Sequence, residues 1–192
     1  MNRYVLLTVA GFCLLSTVAV ADLVIDEDQG LVLDVTSWTG TGTNTSYLVL
    51  DFEATGGDSY ALGFRWDDTA TVLDMFDSFT SNLGLLVELT TYDGYGTFVD
   101  NFSWGSESGD AMQYWTHSMS NPDGSGDVSW TDAYLGVESQ LLSDGMISGW
   151  YNGYNEDYSA IPPSLPLATV PAPGVLALAG LFAMGTSRRR RG

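Results

Sequence analysis

Thr69-Ala-Thr71-Val-Leu-Asp74-Met-Phe76-Asp-Ser-Phe79-Thr-Ser-Asn-Leu83 is the stretch in which the hydrophobic period changes. Val72, Leu73, Phe76, Phe79 and Leu83 fall three or four positions apart, the spacing of one helical face. Thr69 or Thr71 can cap the start, and Asp74 stands in the first turn, where the helix dipole favours an anion. The spacing predicts a single helix over 70–82, with an apolar stripe that faces a core.

On both sides the chain reads as strands. Leu31–Thr36, Tyr47–Phe52 and Tyr60–Trp66 precede the helix; Leu85–Tyr92, Gly96–Trp104, Met112–Met119 and Met146–Tyr151 follow it. Gly and Asp punctuate the junctions, and Gly56-Gly57-Asp58 predicts a hairpin between the second and third strands. Strands, one helix, then more strands imply an α+β domain: a mostly antiparallel sheet with one packed helix, β-grasp-like in its specific form.

All 24 acidic residues lie between Asp22 and Leu165, against one base there, Arg65, and the chain has no lysine. Such a field repels nucleic acid and anionic lipid and favours cations. Abundant apolar and aromatic residues exclude a chain too polar to form a core. The one cysteine, Cys13, lies in the apolar run Val5–Val18, so the downstream domain has neither disulfide nor thiolate metal site.

Both ends read as targeting segments. Arg3, the run Val5–Val18 and the small residues Ala19 and Ala21 form a secretory signal peptide over 1–21. Residues 22–158 form the exported domain, 159–169 a proline-containing spacer, and 170–192 a tail. In the tail, Pro171-Ala172-Pro173 precedes an uncharged segment from Gly174 to Ser187, and Arg188, Arg189, Arg190 and Arg191 follow. An apolar run closed by cations is a membrane segment with its basic side in the cytoplasm, here short for a permanent span. The order Pro171-x-Pro173-Gly174, apolar segment and arginine cluster resembles the PEP-CTERM sorting signal, with Ala172 where the family's motif has Glu. The resemblance implies export machinery and an exosortase as partners. It also implies transient inner-membrane anchoring, then delivery to the bacterial surface or extracellular matrix.

A second resemblance covers about residues 30–154. Thr71-Val-Leu-Asp-Met-Phe76, Gly96-Thr-Phe-Val-Asp-Asn-Phe102, Tyr114-Trp115 and Leu142-Ser-Asp-Gly-Met-Ile147 before Trp150 follow in the order of a transcobalamin-like C-terminal domain. It implies a module that covers a corrinoid or serves as an adhesive β-domain.

Catalytic machinery is not evident. His117 is the single histidine, and no G-x-S-x-G elbow accompanies it, so a non-enzymatic role is expected. The candidate cation loop is Asn121-Pro-Asp123-Gly-Ser125-Gly-Asp127-Val-Ser-Trp-Thr-Asp132. Asn121, Asp123, Ser125, Asp127 and Asp132 supply oxygens at a spacing that can wrap calcium, and the same residues also make ordinary turns. Trp104, Trp115, Trp130 and Trp150 could form a stacking face for a surface polysaccharide or a flat ligand, or pack across strands.

Overall fold

The computed structural model describes residues 23–170; the signal peptide expected over 1–21 and, apart from Val170, the sorting signal expected over 170–192 lie outside them. The central sheet has six strands. β3 (Val35–Gly40), β4 (Asn44–Asp51) and β5 (Ser59–Trp66) come before the helix α1 (Val72–Leu83); β9 (Trp115–Ser120), β10 (Thr131–Asp132) and β11 (Met146–Asn152) come after it. Their order is β10-β9-β11-β4-β5-β3. β4 and β5 form the expected antiparallel hairpin, with Leu48 opposite Leu62. β11 runs parallel to β4 and β3 parallel to β5, so the central sheet is mixed, while the remaining pairings of the fold are antiparallel.

Period-two alternation gives this sheet two faces. Leu48, Leu50, Phe52, Leu62, Phe64, Trp115 and Trp150 share one core with Met75, Phe76 and Phe79 of α1. A second hairpin, β6 (Leu86–Tyr92) with β7 (Gly96–Trp104), completes the cover on that side, extended by β8 (Glu107–Ser108). Phe102 of β7 is fully buried, edge-on to Phe76, Trp115 and Trp150 at ring separations of 4.9–5.3 Å. The helix begins at Thr71, whose Oγ1 accepts from the Asp74 amide while Asp74 accepts from the Thr71 amide, a reciprocal capping box. It ends at Gly84, whose φ of 80° suits glycine.

The other face packs Tyr47, Val49, Ala61 and Ile147 against Ile25 and Leu33. Those two belong to a small sheet of β1 (Val24–Asp26), β2 (Leu31–Leu33) and β12 (Leu167–Thr169), ordered β1-β2-β12. Two tryptophans lie flat where the strands carry glycine. A Cβ on Gly63 would stand 2.4 Å from the Trp38 ring, and one on Gly149 2.6 Å from the Trp130 ring and from Pro163.

Three expectations change. Leu31–Thr36 is not one strand, because Asp34 lies between β2 and β3, which join different sheets. The Met112–Met119 strand starts only at Trp115, because Asp110 turns the chain by accepting from the amides of Met112 and Gln113. Residues 159–169 are not a free spacer. Pro163 is buried, Ser164 donates its amide to the buried Asp51 carboxylate at 2.7 Å, and β12 pairs with β2. The prolines do not prevent this, since β12 itself contains none.

Candidate functional site

Where the helix-and-hairpin cover stops short, the face of β9 and β11 is left under an open cleft of about 660 Å³. That volume falls within the range of small-molecule sites. Its floor is Trp115, His117 and Trp150, all pointing from paired strands to the same side, with His117 directly opposite Trp150. One wall is the β6–β7 hairpin, bringing Tyr92, Tyr95 and Phe98; the facing wall is the segment after β10, with Tyr134 and Leu135. Tyr114 and Tyr158 close the rim.

The rim is aromatic and exposed. Tyr95, Tyr114, Tyr134 and Tyr158 are between 74% and 89% exposed, too open to be core. Tyr92 packs edge-on to Phe98 at 5.7 Å, and Tyr154 stacks on Tyr158 at 5.3 Å while touching Tyr114. Tyr158 is held at a φ of 67°, a left-handed conformation that costs a bulky residue of order 1–2 kcal/mol. The turn beneath it holds the strain, with the Tyr158 amide donating to Asn155 O and the Asn155 side chain donating to Ser159 and Ala160. The walls are tied together by the Thr97 amide, which donates to the Glu138 carboxylate, and by the Val137 amide, which donates to Thr97 O.

His117 is the least expected member. It is only 9% exposed, lies flat on Trp150 at 4.2 Å, and places Nε2 2.9 Å from Ser148 Oγ. The Trp150 indole N–H donates to that same Oγ at 3.0 Å. Ser148 Oγ thus bridges the two rings, and the His117 Nδ1 on the other side of the imidazole has no hydrogen-bond partner among the described residues. Burial pushes the His117 pKa down to about 3, so the ring is neutral at ordinary pH. Ser148 and His117 touch as a nucleophile and base would, yet Ser148 is fully buried and accepts an indole proton. Of the two, only His117 reaches the cleft, and Ser148 braces it from within the core.

The tryptophans of the sequence reading divide. Trp115 and Trp150 form the floor, Trp104 is half-buried at the edge of the same core, and Trp130 covers Gly149 on the opposite face. The tyrosines were missed, although Tyr92-Asp-Gly-Tyr95 and Tyr154-Asn-Glu-Asp-Tyr158 place them beside turn residues.

The cation loop also divides. Asp123 accepts from the Ser125 hydroxyl and, at 3.0 Å, from the Ser125 amide, and these two hydrogen bonds, the hydroxyl's first, hold its carboxyl below the usual range. Asp127 donates its amide to Ser125 Oγ. Asn121 instead accepts from Ser143, and Asp132 lines the cleft, accepting from the Ala160 amide. The loop docks on β1 through Glu27 N to Gly124 O and Gly126 N to Ile25 O. Among the described residues, no group of three or more His, Cys, Asp or Glu side chains stands close enough to hold a metal. No helix among them is long and apolar enough to cross a membrane.

Set against protein-family models, curated proteins and solved structures, the chain matches none.

Proposed function

We propose that this chain is an exported bacterial surface or matrix protein whose folded domain binds a surface polysaccharide without catalysis. One observation carries the binding half: an open cleft of about 660 Å³ rimmed by exposed tyrosines held in place, one of them at a backbone cost. Sugar rings present apolar C–H faces that stack on aromatic rings, and their hydroxyls take hydrogen bonds from a few fixed polar groups. Export rests on the sequence, from Ala19 and Ala21 at one end to Pro171 and Arg188–Arg191 at the other, with an exosortase as the processing partner.

The β-grasp-like reading belongs with this proposal. It is supported by the strand order β9-β11-β4-β5 and by a helix that directly follows the β4–β5 hairpin. Under the transcobalamin-like resemblance the competing occupant of the cleft is a flat corrinoid. Calcium at Asn121–Asp132 would stiffen that loop, and the binding proposal does not depend on it.

The test is a fluorescence titration of the full chain in mild detergent with neutral oligosaccharides, amine-bearing oligosaccharides and cobinamide. Saturable binding of a sugar, lost in Tyr134→Ala/Tyr158→Ala, is expected. Saturation by cobinamide alone would transfer the site to corrinoids, and no saturation by any would remove the binding role. Deleting Pro171–Gly192 should abolish surface delivery; unchanged surface display on fractionation would refute the sorting half.

A further inference from the structure

Resting on the polysaccharide reading, we infer that the cleft selects a cationic sugar, an amine-bearing polysaccharide, over neutral or acidic ones. The aromatic rim is the first half of the case. Tyr92, Tyr95, Tyr114, Tyr134 and Tyr158 converge on one opening, and an ammonium group is attracted to the negative faces of such rings.

Charge complementarity is the second half. Two carboxylates, Asp100 and Asp132, line the cleft, and no Lys or Arg does. Thr90 donates to one oxygen of Asp100 at 2.6 Å, and the Ala160 amide to one oxygen of Asp132. In each the second oxygen has no partner among the described residues. Arg65, the sole Lys or Arg among those residues, is on the far face of the sheet, 5.1 Å above the Trp38 ring. It cannot neutralise the cleft. The surrounding field is strongly negative, and a concave low-dielectric site concentrates it.

His117 fits the same ligand. A protonated imidazole on the floor would repel an ammonium group, and burial among Trp150 and Ser148 keeps this one neutral. Its Nδ1 has no partner among the described residues and is left to hydrogen-bond a sugar hydroxyl. An acidic polysaccharide would meet carboxylates with no counter-charge, so the cleft rejects it.

The experiment compares a glucosamine hexamer, its fully N-acetylated form, a glucose hexamer and a uronic acid oligomer against the full chain. Each is titrated at low salt and at 0.5 M NaCl. The amine form should bind at least tenfold tighter than the acetylated form, with that advantage shrinking in salt because exposed charge interactions are screened. Tyr134→Ala/Tyr158→Ala and Asp132→Asn should each weaken the amine form at least fivefold. Acetylated or neutral sugar binding as tightly would overturn the cationic preference while leaving polysaccharide binding intact. No saturable sugar binding at all would end both. Amine binding that both variants leave unchanged would mean a polycation adhering to an acidic surface, and would also overturn it.

Discussion

The two faces of the central sheet are built from the same strands and finished differently. On the far face, Gly63 and Gly149 let Trp38 and Trp130 lie flat, and β1-β2-β12 covers the rest. On the near face, Phe102, Trp115 and Trp150 pack edge-on, and the cover ends before the last strands, leaving tyrosines around an opening. Aromatic residues thus seal one side and furnish the other. Number of rings does not separate a core from an open cleft; what separates them here is whether a covering element reaches over the rings.

The strongest way to break the contrast is Phe102→Ala. Its ring is fully buried and touches both floor tryptophans, so the variant should lose about 3–5 kcal/mol in denaturant unfolding. It should also lose ligand binding, because the floor relaxes with it. Next, Gly149→Val places branched atoms against Trp130 and Pro163. A cost of about 1–3 kcal/mol is expected, with sugar affinity in the folded fraction unchanged, since the damage lies on the sealed face.

His117→Gln sharpens the contrast through pH. The folded pKa of His117 is lowered to about 3, below the unfolded value of about 6.5. Its contribution is therefore complete above the unfolded pKa and is lost as pH falls from about 6.5 toward 3. Comparing wild type with His117→Gln between pH 7 and pH 5, wild type should lose about 2 kcal/mol more, read from urea midpoints. Equal pH dependence in the two proteins would contradict a buried neutral ring. Smallest of all, Tyr134→Ala/Tyr158→Ala should change stability by no more than about 0.5 kcal/mol, because both rings are exposed. Thermal midpoints within a few degrees of wild type are the check.

Much of the fold was legible because it is written in local periods. The helix appears at Val72–Leu83, the β4–β5 hairpin turns where Gly56 and Gly57 stand, and β7 and β11 begin where expected. Parallel pairing of β11 with β4 was not legible, since it joins segments about a hundred residues apart and leaves no local mark. Residues 159–169 misled for a similar reason. Their prolines look like a linker, while the partners that hold them, Asp51 and β2, lie far back in the chain. The cleft was half-legible: an aromatic stacking face was anticipated, but on tryptophans, the larger rings. Five separated segments assemble the cleft, and its exposed tyrosines stand beside turns, where the sequence says turn and nothing more.

β1 and β12, the first and last strands described, share one small sheet, with the Val170 amide donating to Gly30 O. Chain entry and exit are thus neighbours, both behind the sheet whose front is the cleft floor. Under the sorting proposal, a chain held through the segment after Val170 would be held from behind, with the cleft mouth on the opposite side of the sheet.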